Sequence, residues 1–111
     1  MIRQRNVYLF HILAVVPLFL YVGYRGRKSR SEVYPVLLVM SALTAAYHSY
    51  RMYEKNSVNA INGFHVSVIA PLIGYIGYMG AKSNSGAFSV LMTLGAGAGL
   101  YHTSKLISNL K

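Results

Sequence analysis

Two kinds of residue are absent or nearly absent from this chain: cysteine and the acidic amino acids. No cysteine is present, which excludes disulfides, zinc-thiolate centres and iron–sulfur clusters. Glu32 and Glu54 are the only acidic residues, and both lie at the ends of apolar runs. A proton relay or a carboxylate-based catalytic site within those runs has no residues to act with. The sequence therefore predicts a protein that is not an enzyme.

Charged residues, counted over both signs together, are scarce as well. They make up 12% of the 111 residues, whereas hydrophobic residues make up 54%. In soluble globular proteins roughly 25% of the residues are charged. This composition therefore predicts an integral, multi-pass membrane protein with the lipid bilayer as its solvent. The formal net charge of +9 comes from Lys and Arg in the connections and termini. Beside membrane spans, such charge favours anionic lipid headgroups or acidic protein surfaces, and no nucleic acid partner is expected.

The chain contains an internal repeat. Residues 7–55 align without a gap with residues 61–109. A repeat at a fixed period indicates a duplicated structural unit, so the function is to be sought in what the duplication preserves. The identical pairs include Phe10/Phe64, His11/His65, Pro17/Pro71, Gly23/Gly77, Tyr47/Tyr101 and His48/His102.

Each copy contains two apolar runs of about the length that an α-helix needs to cross a membrane. The runs cover approximately residues 7–24, 33–50, 61–80 and 88–107. The sequence predicts an all-α single membrane domain over residues 1–111, with four transmembrane helices arranged as a tandem repeat of two helical hairpins. Because each copy has an even number of spans, the copies are expected to be related by a pseudo-twofold axis along the membrane normal.

Two other interpretations of the apolar runs are weaker. A soluble four-helix bundle is the main alternative, but the runs lack the charged face that an amphipathic surface helix carries. The first run also resembles a secretory signal. No clear small-residue cleavage site follows it, and the same pattern recurs as the third run, so we interpret it as a span.

The four histidines form the strongest candidate for a functional site. His11 and His65 lie early in the first and third runs, and His48 and His102 lie late in the second and fourth. Antiparallel neighbours would bring the four imidazoles to a similar depth, where they could hold haem or a metal ion in an electron-transfer protein. The alternative is that each ring hydrogen-bonds a neighbouring helix or a headgroup. We favour this structural role and predict no cofactor, because no carboxylate lies within the runs to orient the rings.

Small residues share a helix face with the later histidine of each copy. Ser41 and Ala45 precede His48 at helical spacing, and Gly95 and Gly99 precede His102. Small side chains let helix backbones approach closely, so this pattern predicts that the second and fourth spans pack against each other through these faces.

Basic residues are concentrated in the short connections that follow the first and third runs. A basic segment beside a membrane span is typical of a surface that contacts anionic lipid, and it can also dock a partner protein. These candidate contact residues are Arg25, Arg27, Lys28, Arg30 and Lys82.

The repeated dipeptides carry a family resemblance. With Phe10-His11, Pro17-Leu18, the Tyr-x-Gly-Tyr of residues 21–24 and Tyr47-His48, the chain resembles small multi-pass membrane proteins of large double-stranded DNA viruses of algae. The resemblance covers both copies and hence most of the chain. It implies a structural protein of the virion inner membrane, or a minor capsid protein, that contacts capsid or other structural proteins through its basic loops. It brings no catalytic residue with it.

Overall fold

The computed structural model describes residues 4–56 and 59–110, and these residues form four helices and no strand. Helix α1 consists of Gln4–Phe10, a π-helical turn over His11–Val15, and Val16–Arg25. Helix α2 spans Val33–Lys55. Helix α3 repeats the composite form of α1, with Ala60–Phe64, a π-helical turn over His65–Ile69, and Ala70–Met79. Helix α4 spans Ser85–Leu110. The all-α class is confirmed.

Glycine ends both α1 and α3. Gly26 and Gly80 have φ of 54° and 59°, a region that residues with a side chain rarely adopt. Each glycine begins a short 3₁₀ turn, over Gly26–Lys28 and Gly80–Lys82. The repeated glycine after each first run therefore terminates a helix and turns the chain.

A proline follows the π-helical turn in both composite helices. The backbone N–H of Val16 donates to the carbonyl of His11, five residues back, and Ala70 donates to His65 in the same way. The next residue is Pro17 or Pro71, which has no N–H and whose ring clashes with the preceding turn of a regular α-helix. The wider turn accommodates the ring, so each of the matched prolines is associated with a local distortion of its helix.

The helices divide into two compact units, each described by itself. The first unit contains α1, its 3₁₀ turn and α4, and the second contains α2 and α3 with its 3₁₀ turn. Contacts at both ends show that the helices of each unit are antiparallel. In the first unit His11 meets His102 and Gly23 meets Met92. In the second, His48 meets His65, and Leu38 meets Gly77.

This division cuts across the sequence repeat. The sequence predicts hairpins within each copy, which would pair α1 with α2 and α3 with α4. In the structure, the extensive packing joins α1 to α4 and α2 to α3. Each unit therefore combines one helix from each copy, and the partners predicted from the short connections were wrong.

The core of each unit follows the helical periodicity. Side chains spaced three or four residues apart on the facing helices are buried, and Val22, Leu37, Ile73, Ile76 and Leu91 are completely enclosed. The core of the first unit is formed by Tyr8, Val15, Phe19, Val22, Phe88 and Leu91, and that of the second by Tyr34, Leu37, Ile69, Ala70, Ile73 and Ile76.

Within the described residues, two helical segments are long and apolar enough to cross a membrane. They are Arg5–Lys28 and Ala60–Lys82, which correspond to α1 and α3 with their 3₁₀ turns. Only 22% and 28% of their apolar stretches are buried inside the protein. Helices α2 and α4 are long enough, with 23 and 26 residues, but serine, threonine, glycine and histidine make them less apolar.

Candidate functional site

The four histidines form two stacked pairs, one in each unit. His11 of α1 stacks on His102 of α4, with ring centroids 4.1 Å apart and planes inclined by 27°. His48 of α2 stacks on His65 of α3, at 4.1 Å and 23°. His48 and His102 are buried, whereas His11 and His65 are half-buried. The predicted histidine set is thus present as two pairs that each join one helix from each copy.

The π-helical turns hold the first histidine of each pair. The Nδ1 of His11 lies 2.7 Å from the carbonyl oxygen of Val7, and the Nδ1 of His65 lies 2.7 Å from that of Ile61. Because a carbonyl oxygen can only accept, Nδ1 carries the proton in both rings. Each imidazole is therefore tied to its own helix in the same orientation.

The second histidine of each pair has a different neighbour in the two units. In the second unit, His48 Nδ1 donates to Asn62 Oδ1 at 2.7 Å, and Asn62 is itself buried. The Asn62 backbone N–H donates to Asn59 Oδ1, which caps the start of α3. In the first unit, Tyr8 occupies the position equivalent to Asn62, and its ring lies 5.8 Å from that of His102. An amide hydrogen bond in one unit is thus replaced by an aromatic contact in the other.

Asn62 was missed in the sequence analysis. It lies in a segment treated as the start of a span, and nothing in its spacing sets it apart. The signal available was that Tyr8 and Asn62 are unlike residues at matched positions two residues before the preserved Phe-His dipeptide. A polar amide at the edge of an apolar run requires a hydrogen-bond partner when buried, and His48 supplies it.

A positive side chain lies over the ring of Tyr47 and over that of its equivalent in the second copy, Tyr101. The Arg51 guanidinium lies 5.9 Å from the centre of the Tyr47 ring, and the Lys105 ammonium lies 5.7 Å from that of Tyr101. Arg51 also donates to the Tyr47 hydroxyl at 3.2 Å. Cations over tyrosine faces add modest stabilisation, so this contact is another feature that the duplication retains.

The stacked pairs do not fit a metal ion or a haem within either unit. The lone pair of an imidazole nitrogen lies in the ring plane, so a bound metal ion lies in or near that plane. The planes of two rings stacked 4.1 Å apart and inclined by 27° or 23° intersect only well beyond metal–nitrogen bonding distance. A haem iron with two axial histidines needs its rings on opposite faces of the porphyrin. Among residues 4–56 and 59–110, no group of three or more His, Asp or Glu side chains can hold an ion. The geometry of each pair is therefore that of a packing contact.

The small residues singled out in the sequence lie against different helices from those predicted. The Ser41 hydroxyl of α2 donates to the Ala70 carbonyl of α3 at 2.7 Å. A Cβ on Gly95 of α4 would lie 3.0 Å from Phe19 of α1. The prediction that the second and fourth spans meet through these faces was wrong in its partners, because the composite helices occupy both faces. Gly99 of α4 faces Val16 of α1, and Ala45 is half-buried on the same side of α2 as Ser41.

The basic residues of the connections are exposed at Arg25, Arg27, Lys28, Arg30 and Lys82. Arg30 differs from the others because it forms an ion pair with Glu32 at 2.7 Å, to which Ser31 also donates. A hydrogen bond from its own backbone, followed by the charge of Arg30, lowers the pKa of Glu32. Glu32 is therefore ionised at neutral pH and offsets the charge of Arg30.

No protein-family model, no curated protein and no solved structure matches this chain.

Proposed function

We propose that the protein is a non-enzymatic structural membrane protein that anchors an assembly at a bilayer. The observation that carries this proposal is the apolar surface left on α1 and α3, whose apolar stretches are only 22% and 28% buried. Leu13 of α1, in the middle of such a stretch, is 73% exposed. Monomeric soluble proteins rarely expose large contiguous apolar patches, and lipid would cover this one.

Exposed aliphatic side chains support α2 and α4 as further spans. Val39 and Leu43 on α2 and Leu100 on α4 are more than half exposed. Two of the hydroxyls that make α2 and α4 less apolar are hydrogen-bonded within the protein: Ser41 bonds to Ala70, and Thr93 bonds to the carbonyl of Ser89 at 3.1 Å. Such bonds lower the free energy of placing a hydroxyl in lipid. We therefore propose four transmembrane helices with a pseudo-twofold relation between the two copies.

Exposed tyrosines mark the helix ends. Tyr24 and Tyr78, near the ends of α1 and α3, are 75% and 81% exposed, and Tyr53, near the end of α2, is 84% exposed. Tyrosine favours the headgroup region of a bilayer, where the ring is in an apolar layer and the hydroxyl is hydrated. The position of these rings supports a bilayer that extends along the helices.

The exposed basic connection after α1 supplies the surface that contacts anionic groups. Arg25, Arg27 and Lys28 all lie at this end of α1, next to Tyr24, where headgroup phosphates would be within reach. The more specific role, as a component of a virion inner membrane or a minor capsid protein, rests on the sequence resemblance alone.

Site-directed labelling tests the four-span arrangement. The chain has no cysteine, so single cysteines introduced at Arg27, Asn56 and Asn84 report only on those positions. In vesicles, we expect a membrane-impermeant maleimide to reach positions 27 and 84 from one side and position 56 from the other. The protein should also remain in the membrane after carbonate extraction. Extraction into the soluble fraction, or all three cysteines on one side, would contradict the proposal.

Removing charge from the first connection tests its contact with lipid. The second copy has Met79 and Ala81 where the first has Arg25 and Arg27, so R25M/R27A gives the first connection the residues of the second. Each basic residue near an anionic surface contributes ~1 kcal/mol, so affinity for anionic lipid should fall by roughly thirtyfold. Native mass spectrometry of the detergent-solubilised protein with phosphatidylserine measures this affinity.

The reverse variant, M79R/A81R, is the matched control and should raise the affinity. We leave Arg30 unchanged in both variants because it is paired with Glu32. An R25M/R27A protein with the affinity of the native chain would show that this connection does not contact lipid.

The electron-transfer alternative predicts a different result for the isolated protein. If the histidines hold a cofactor, the purified chain should show a haem absorption band or stoichiometric metal, and replacing His48 and His102 with glutamine should remove it. We expect neither signal, because the stacked rings of each unit do not converge on an ion. A stoichiometric cofactor in the native protein would replace the structural proposal.

A further inference from the structure

The repeat gives every helix two chemically similar candidate partners. Helices α1 and α3 descend from one segment of the duplicated sequence, and α2 and α4 from the other. The central core leucine is the same in α2 and α4, as Leu37 and Leu91, and it is completely buried in both. Hydrophobic burial alone therefore does not determine whether α1 packs on α2 or on α4.

The two observed pairings differ in side-chain size at one matched contact. In the first unit Leu20 of α1 lies against Gly95 of α4, and a Cβ on Gly95 would be 3.3 Å from Leu20 Cδ2. In the second unit the sizes are reversed: Gly74 of α3 lies against Ser41 of α2, and a Cβ on Gly74 would be 2.8 Å from Ser41 Oγ. Each contact thus places a larger side chain against a glycine.

The alternative pairings would lose this match. Packing α1 on α2 would place Leu20 against Ser41, where the observed spacing leaves room for only one side chain. Packing α3 on α4 would place Gly74 against Gly95 and leave a gap. Overpacking and cavities both destabilise a helix interface. The crowded contact between α1 and α2 and the gap between α3 and α4 would therefore both lower the stability of the alternative pairing.

A second position, one turn away, also differs in side-chain size between the two units. Val16 of α1 lies against Gly99 of α4, and a Cβ on Gly99 would be 3.4 Å from Val16 Cγ1. The equivalent residues of the second unit are Ala70 and Ala45. Packing α1 on α2 would set Val16 against Ala45, which again increases the crowding.

We infer that size complementarity at these two positions selects the partner of each helix and pairs helices across the two copies. The pairing surface of α1, with Val16 and Leu20, fits only a glycine-bearing face, which α4 supplies. The pairing surface of α3, with Ala70 and Gly74, fits the larger side chains of α2.

A double-mutant cycle tests the contact, with the second unit as its template. Gly95→Ser should crowd Leu20, and Leu20→Gly should leave a gap, so each alone should lower the melting temperature in detergent by ~5 °C or more. The double variant L20G/G95S recreates the glycine–serine pair of the second unit. It should melt clearly above the value expected from adding the two shifts, because the contact is restored. Additive shifts would overturn the inference.

Exchanging the two α1 and α3 residues tests partner choice directly. The variant L20G/G74L should favour pairing of α1 with α2 and of α3 with α4. Cysteines that replace His11 and His102 can be joined by a short bismaleimide when α1 packs on α4, so this link reports the native pairing. Cysteines that replace His11 and His48 report the exchanged pairing of α1 with α2 in the same way. A specific protease site inserted between residues 56 and 59 then separates the two halves of the chain.

Only the 11–102 link keeps the cleaved halves together on a denaturing gel. With the native residues at positions 20 and 74, we expect the 11–102 link and little of the 11–48 link. In L20G/G74L the 11–102 link should fall by several-fold and the 11–48 link should rise. Unchanged yields of both links would show that other features choose the partner and would overturn the inference.

Discussion

Replacing Gly77 with alanine should push α2 and α3 further apart and lower the stability of the protein. A Cβ at this position would lie 2.8 Å from the Leu38 backbone nitrogen and from the Tyr34 carbonyl oxygen. Backbone atoms in a helix have no rotamer to move into, so the helices themselves must shift. Overpacking of this kind costs up to about 3 kcal/mol, which corresponds to a fall in melting temperature of up to ~15 °C. Thermal unfolding in detergent, followed by circular dichroism, measures it.

The matched residue of the first unit should behave in the same way. A Cβ on Gly23 would lie 2.6 Å from Met92 Cβ and 2.7 Å from its Cα. Gly97 of α4 is the control, because a Cβ there meets nothing within 4 Å. Gly97→Ala should leave stability unchanged or raise it, since alanine has the higher helix propensity by about 1 kcal/mol. If all three variants lost the same stability, close helix approach would not be the reason for the repeated glycine.

Replacing His48 with alanine should have an effect of similar size. The change removes a buried ring from the stack with His65 and takes away the donor to Asn62 Oδ1, which stays buried. A lost buried hydrogen bond and the accompanying cavity together cost about 3 kcal/mol. His48→Gln retains an N–H donor and should cost clearly less. Thermal unfolding of the two variants in the same detergent compares them.

A cycle with Asn62→Ala separates the hydrogen bond from the ring. If the bond carries the effect, the double variant H48A/N62A should be less destabilised than the sum of the single changes, because no buried acceptor is left without a donor. Equal losses for His48→Gln and His48→Ala would show instead that the imidazole ring itself is required. That result would favour a chemical role for the stacked histidine pair over a purely structural one.

Five preserved pairs, two of glycine, one of proline and two of histidine, have structural explanations. Gly23 and Gly77 allow the backbones to approach, and Gly26 and Gly80 end the composite helices. Pro17 and Pro71 follow the π-helical turns. The histidines stack across the helix pairs. Because packing accounts for these residues, their preservation does not require a catalytic role, which supports the proposal of a structural protein.

Local sequence signals were sufficient to predict the helices. The four apolar runs correspond to the four helices, with boundaries close to those observed: residues 33–50 were predicted where α2 spans Val33–Lys55. Gly26 and Gly80 end α1 and α3, and Pro17 and Pro71 follow the distorted turns. These features depend on the preferences of a few neighbouring residues, so they can be recognised without knowledge of the partner helix.

The tertiary structure alone decided which helices pair and which side chains meet. Short connections and a gapless repeat predicted hairpins within each copy, whereas α1 packs on α4 and α2 packs on α3. The contacts Leu20 with Gly95 and Gly74 with Ser41 have meaning only when both faces are known. The same holds for the bond between His48 and Asn62. Periodicity shows which face of a helix is buried, but the fit between two faces depends on the sizes and hydrogen-bonding groups of residues far apart in the chain.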